Sequence, residues 1–278
     1  MKLRDWQMRE LPSLRERTFG QSAYFGEVTV VAYTFPMDRE GLGFDCLECA
    51  ILQTWAVLGM MKTVIVADGR FPKLDAFASR HGNVEVQLEP SLVPGKIETM
   101  SADCCARLHA RFSTRYCLVV QDDGFPLKDT LGDFLGKYDF VGAPYVRISW
   151  WRNAICAMLG YWMSNGGFSL RSKRICEAAA AYWPKYRNVH PSDLTVDDLY
   201  YTKTLPLRHP RFRLKYCIAP NSAAIRFSYD ALVGQPVKAL PLGIHRASTF
   251  EELQAKGLLD VSALNLRNGE KAGSEVAK

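Results

Sequence analysis

YCLVVQDDG, residues 116–124, is the stretch that decides the fold. Tyr116 to Val120 is a short, unbroken apolar run, as expected of a strand buried on both faces. It runs straight into Gln121-Asp122-Asp123-Gly124. Adjacent carboxylates after a buried strand are costly to hold close unless a cation or hydrogen bonds compensate. A hard divalent cation, Mg²⁺ or Mn²⁺, would supply that compensation and bridge to ligand phosphates. On position alone, an Asp-Gly turn with solvated carboxylates accounts for the tip equally well.

Upstream, strands and helices alternate. Glu27 to Phe35 reads as a first strand and Gly41 to Met60 as a helix. Thr63 to Ala67 is a second strand ending at the Asp68-Gly69 turn, and Leu74 to His81 a short helix. Val84 to Leu88 is a third strand, and Glu98 to Phe112 a helix leading into Tyr116. Such alternation predicts an α/β, doubly wound, mostly parallel sheet, with ligands outside the carboxyl ends of its strands. No GxGxxG follows the first strand and no Walker A loop occurs, so a Rossmann dehydrogenase and a P-loop kinase lose their main support.

The second half carries aromatic and glycine-rich blocks: Tyr138 to Pro144 (YDFVGAP), Ser149-Trp150-Trp151, and Asn165 to Arg171 (NGGFSLR). Ser172 to Tyr182 reads as a helix, Asp197-Asp198 opens another, and Tyr216 to Phe227 reads as strands. Leu242 to His245 is expected to close the ordered part. We read residues 1–26 as an N-terminal extension, 27–260 as one domain and 261–278 as a flexible tail.

Composition bounds the function. The chain has 278 residues, 48% hydrophobic and 23% charged, with a formal net charge of +6, so wholesale disorder is excluded. The longest apolar stretch, Ala154 to Met163, is too short to span a bilayer, and Met1 to Arg9 holds no apolar leader core. The expected location is therefore cytoplasmic, with peripheral contact at the inner face of the membrane as an option. Eight cysteines include Cys46-x-x-Cys49, but that pair lies on a predicted helix face without a zinc-spaced partner. They read as reduced, buried thiols. Basic clusters at Arg4, Arg9, Arg15, Arg17 and at Arg208, Arg211, Arg213, Lys215 read most simply as solvated surface. No nucleic-acid motif accompanies them, and no nucleic-acid partner is expected.

Taken singly, the remaining signals have mundane readings. His245 is a structural hydrogen-bonder unless it folds back onto Asp123. Asp197-Asp198 is a helix cap and first-turn acid unless one carboxylate serves as a general base. Asn165-Gly166-Gly167 is a turn unless its backbone approaches a ligand.

Their order is more specific than any one of them. A strand ending in Q-x-D, then YDFVGAP, NGGFSLR, Asp-Asp-Leu-Tyr and Gly-x-His resembles a family of GT-A-like glycosyltransferases over about residues 27 to 247. The resemblance implies a GT-A-type single domain with a smaller mixed C-terminal part. It implies Asp123 and His245 as ligands of a divalent cation, Mn²⁺ or Mg²⁺. Gln121 and Asp122 then lie on the nucleotide sugar, with the base near Thr34 and Asp68. Asp198, with Asp197 beside it, matches the acid pair that supplies the general base of inverting members. Asn165, Gly166 and Gly167 match a loop lining the acceptor and donor sugar. Trp150 and Trp151, within Tyr145 to Met163, read on their own composition as a lid over that loop, as a membrane contact, or as core packing under the sheet. The chain departs from the pattern at Ser164, where glycine is usual, and at Asp197, where glutamate is usual. The implied activity is transfer of a sugar from a nucleotide-sugar donor to a glycan or lipid-linked acceptor, in polysaccharide or lipid-linked glycan synthesis. A non-catalytic nucleotide-sugar or glycan-binding protein is the main alternative, and a nucleotidyltransferase the next.

Overall fold

The computed structural model describes residues 1–34, 43–93, 95–144, 158, 163–186, 197–230, 238–262 and 264. Its main sheet has six strands in the order β3-β2-β1-β4-β7-β6. These are β1 Val28–Tyr33, β2 Thr63–Ala67, β3 Val84–Leu88, β4 Tyr116–Val120, β6 Phe140–Pro144 and β7 Ser164–Ser172. β1, β2, β3 and β4 pair in parallel, and β7 runs antiparallel to both β4 and β6. A small second sheet joins β5 Gly124–Pro126, β9 Gly243–His245 and β8 Ser228–Tyr229. The expected α/β fold with a mostly parallel sheet and a mixed C-terminal part is the fold observed.

The chain winds from β1 outward through β2 and β3, then returns to place β4 on the other side of β1. The boundary between β1 and β4 is thus a topological switch point, where diverging connections leave a crevice at the strands' carboxyl ends. Thr34 and the Gln121–Gly124 tip flank it.

Every residue of β1, β2 and β4 is buried, because helices cover both faces. Alternate residues feed different cores, as period-2 geometry requires. Val28, Val30 and Ala32 pack with Trp6, Trp55 and Phe77. Val31 and Tyr33 pack with Met100, Cys104 and Ile175 on the opposite face. The first face is covered by α1 Leu3–Glu16, α2 Gly43–Leu58 and α3 Pro72–Arg80. α4 Ile97–Ala106, α5 Leu108–Arg111 and α6 Lys173–Tyr186 supply the second. The predicted Glu98–Phe112 helix is broken at Arg107, whose ψ of −5° leaves the helical range and separates α4 from α5.

The first helix is bound into the core through Leu3, Trp6, Leu11 and Leu14. Trp6 is fully buried, its ring stacked on Phe125 of β5 and tilted against Phe250, with centroids 5.4 Å away in each case. Gln7 Nε2 donates to the carbonyl of Asp122 at 2.5 Å, bracing the acidic tip from behind. The Cys46-x-x-Cys49 pair lies within α2 as free, buried thiols, as expected. Burial pushes the Cys46 thiol up to about 11, which keeps it unreactive.

After α6, the helical run Asp197–Leu199 (α7) widens into a π-helical turn, Tyr200–Thr204, and resumes as α8 Leu205–Arg208. α9 Pro210–Lys215 follows. Two sequence expectations fail here. Tyr216 to Phe227 contains a helix, α10 Asn221–Phe227, and strand begins only at Ser228. Pro220 precedes the first turn and Ala223 and Ala224 favour helix, which outweighs the aromatic character of the flanks. Nor does His245 close the ordered part: α11 Ala247–Ala255 follows and inserts Phe250 and Leu253 into the core.

Candidate functional site

The β-register builds the site. β5 and β9 pair so that Gly124 faces His245, which brings His245 beside Asp123. His245 Nε2 lies 3.5 Å from Asp123 Oδ1 and 3.3 Å from Gln121 Oε1. The Asp123 side chain is 37% exposed while that of His245 is 9% exposed, so the pair opens to solvent on the carboxylate side. The backbone N–H of Arg246 donates to the Asp123 carbonyl at 3.0 Å, tying the two loops together. Arg246 holds a φ of +82°, the only positive φ among described non-glycine residues.

Asp122 turns its carbonyl to Gln7. Burial, then the charge of Asp123, raises its carboxyl to about 6.

Asn165, Gly166 and Gly167 lie in strand β7 rather than in a loop, which corrects the sequence expectation. The block is buried just beyond the stretch of β7 that pairs with β4, beside β6, whose register shifts between Gly142 and Pro144. The glycines are required by close approach. A Cβ on Gly167 would overlap His245 Nε2 and stand 2.6 Å from Gln121 Oε1. One on Gly166 would meet Arg171 Nη2 at 2.6 Å and Asp198 Cβ at 3.1 Å.

Asp198 therefore lies directly behind this strand. Its Oδ2 accepts the Gly166 N–H at 3.0 Å and its Oδ1 the Leu199 N–H at 2.6 Å. Burial, and then the neighbouring Asp197 carboxylate, raises Asp198 to about 7. Asp197 is engaged differently, in an ion pair with buried Arg171 at 2.6 Å. The Arg171 guanidinium is packed over the rings of Phe140 and Tyr201.

The structure thus gathers Gln121, Asp122, Asp123, Asn165, Gly166, Gly167, Asp197, Asp198 and His245 at the end of β4. Thr34 and Asp68 follow β1 and β2 at the same edge of the sheet, and the Thr34 N–H donates to the Val66 carbonyl. Trp150 and Trp151 lie outside the described residues.

Three residues at the site went unread in the sequence. Gln7 comes from the N-terminal helix and carries no motif. Arg171 was visible within NGGFSLR, but nothing in that run names Asp197 as its partner. Asp230 had no signal. It is buried, and its Oδ2 accepts from Arg246 Nε at 2.8 Å and Asn165 Nδ2 at 3.3 Å, and lies 3.7 Å from His245 Nδ1.

The donor chemistry at Asp123 and His245 suits a divalent cation. Two ligands each about 2.1 Å from such an ion, at right angles, stand about 3 Å apart, close to the 3.5 Å seen. Among the described residues no group of three or more His, Cys, Asp or Glu is set to hold a metal, so further ligands would have to come from Gln121, water or substrate. No helix among the described residues is long and apolar enough to cross a membrane.

No curated protein matches the sequence. Among solved structures, the galactosyltransferase LgtC in complex with donor and acceptor sugar analogues is 16% identical, with a TM-score of 0.50. That match covers 84% of this chain and 96% of LgtC. The glycosyltransferase GlyE of Streptococcus pneumoniae TIGR4 is 12% identical with a TM-score of 0.52, covering 91% of this chain and 64% of GlyE. The fold is thus shared with GT-A glycosyltransferases. A family profile described as "Protein of unknown function (DUF5672)" matches residues 94–245, more than half of the 278 residues, and the chain belongs to that family.

Proposed function

We propose that this protein is a glycosyltransferase that moves a sugar from a nucleotide-sugar donor to a hydroxyl of a glycan or lipid-linked acceptor. The observation that carries the reading is the convergence of Asp123, Gln121 and His245 at the β1/β4 switch point, with Asp198 one strand behind. Asp123 and His245 would hold Mn²⁺ or Mg²⁺, which supplies Lewis-acid stabilisation of the diphosphate as charge develops on it. Gln121 offers an amide to a ribose or sugar hydroxyl at the same point. Thr34 and Asp68 stand at the strand ends where the nucleoside would lie, and Asp122 would stand beside the diphosphate.

Asp198 would take the proton of the acceptor hydroxyl as that oxygen attacks the anomeric carbon. A pKa near 7 matches that task, since a general base works best when its pKa lies near the working pH. A single displacement assisted in this way inverts the anomeric configuration. Besides burial, the Asp197 carboxylate beside Asp198 raises its proton affinity, and Arg171, paired with Asp197, works against that rise. Free, buried thiols at Cys49, Cys104, Cys105, Cys117 and Cys176 support a reducing, cytoplasmic setting.

The test is product identity. Purified protein is incubated with nucleotide sugars and Mn²⁺, and the released nucleotide is assayed. Free nucleoside diphosphate supports sugar transfer. Pyrophosphate would instead mean nucleotidyl transfer. Nucleotide-sugar binding without turnover across an acceptor panel would leave a binding protein on the same fold.

A further inference from the structure

The run that begins with Asp197 and Asp198 ends in a surface of unusual composition. From Lys203 to Lys215 the sequence is KTLPLRHPRFRLK, which contains no acid. Arg208, Arg211, Arg213 and Lys215 are exposed. Leu207, immediately before Arg208, is 45% exposed, and Leu214, between Arg213 and Lys215, is 83% exposed. The face is rigid. Phe212 is buried and anchors α9, and His209 stacks on Tyr182 of α6 with ring centroids 4.1 Å apart. Arg208 lies over the Tyr186 ring and Lys215 over Tyr216, so cations sit above aromatic rings.

We propose that α8 and α9 form a docking face for an anionic lipid surface, with Leu207 and Leu214 in the headgroup layer and the flanking cations on lipid phosphates. A bare cationic patch would fit any polyanion, including nucleic acid. The leucines decide between them. A phosphate backbone gives an exposed leucine nothing, whereas a bilayer offers both the phosphates and an apolar layer beneath them. The face also has a fixed relation to the candidate site. Asp198 and Leu207 are joined by one continuous helical run, roughly 14 Å at about 1.5 Å per residue. The Tyr200 and Tyr201 hydroxyls pin that run to the Ala179 and Cys104 carbonyls. Docking would hold Asp198 near the membrane, where a lipid-linked acceptor presents its hydroxyl. That last step rests on the glycosyltransferase reading; docking itself does not.

The full chain is floated with vesicles of phosphatidylcholine mixed with phosphatidylglycerol and with phosphatidylcholine alone. Wild type should float with the mixed vesicles only. The Leu207→Ser/Leu214→Ser and Arg211→Glu/Arg213→Glu variants should each lose about tenfold or more in partitioning. All four side chains are exposed, so both variants should keep the wild-type melting temperature and any nucleotide-dependent thermal shift. Wild type that stays unbound, or a leucine variant that floats as well as wild type, would overturn the proposal. So would tighter binding to duplex RNA than to vesicles, unchanged by the leucine substitutions. Vesicle binding lost while the nucleotide shift persists would sink the docking face alone. The converse would sink the transferase reading and leave the docking face standing.

Discussion

Asp230 Oδ2 lies 3.7 Å behind His245 Nδ1, on the side of the ring away from Asp123. The distance exceeds a hydrogen bond, yet Asp230 is buried and already orients Asn165 and Arg246 through the same oxygen. Histidines that ligate metals commonly direct their second ring nitrogen at a carboxylate, which fixes tautomer and ring orientation. Asp230→Asn should therefore weaken Mn²⁺ binding by about 10- to 100-fold. Titration calorimetry with Mn²⁺ and a nucleoside diphosphate measures this, and unchanged affinity would remove Asp230 from the site.

Asp123→Ala removes the exposed ligand while leaving His245 in place. Saturating nucleoside diphosphate at roughly 100 times its dissociation constant adds about 2.7 kcal/mol of stability. In wild type that thermal shift should need Mn²⁺ and vanish in EDTA. In the variant it should be absent with or without metal. A shift that persists in EDTA would keep nucleotide binding and discard the cation.

Asp198 predicts opposite pH trends for rate and stability. As a base it works when ionised, so turnover should rise as pH climbs through about 7. Its folded pKa lies above the ordinary value of 3.8, so the native state keeps a proton that the unfolded chain releases. Stability should therefore fall as pH rises from about 4 to about 7, and Asp198→Asn should flatten that slope. The same variant should lose about 10²- to 10⁴-fold in transfer while binding nucleotide normally. Near-normal turnover would assign the proton to another group.

Gly167→Ala places a methyl where His245 Nε2 and Gln121 Oε1 stand. The ring has to move, since the strand carrying residue 167 is buried on both sides. Loss of Mn²⁺ binding with a measurable drop in melting temperature is expected. Retained binding would mean that His245 is not a ligand.

Trp6→Ala tests whether the first helix belongs to the fold. Trp6 fills the space between Phe125 and Phe250, and large-to-small changes at such sites cost about 3–5 kcal/mol. Urea denaturation should show a loss of that size. A change below about 1 kcal/mol, within the range of surface substitutions, would make the helix an ornament.

The parallel half of the fold was legible because its inner strands are short apolar runs closed by a turn or a polar tip, while the edge strand Val84–Leu88 alternates apolar and polar residues. Tyr116–Val120 and Thr63–Ala67 match their predicted bounds. Local composition misled where two signals competed, as at Asn221–Phe227, where a proline-led helix hides among aromatic residues. The site residues carried by motif order converge: Asp123, His245, Asp198 and the Asn165–Gly167 block. Their supports do not announce themselves. Gln7 and Asp230 come from remote segments, and only the folded register brings them against Asp122 and His245.

The π-helical turn at Tyr200–Thr204 sets an angular phase along the chain. A π turn carries about one residue more than an α turn, and one residue is about 100° of helical rotation. Widening absorbs that extra residue, so deleting it would restore plain α-helix and leave the Leu207 face nearly in phase with Asp197 and Asp198, whereas the same deletion in a flanking α turn would swing it by about 100°. The turn is thus the one place in the run where chain length can change by a residue and a surface bound at Leu207 still meets the carboxylates from the same direction; one turn away, the same change would redirect the protein with every side chain at the site intact.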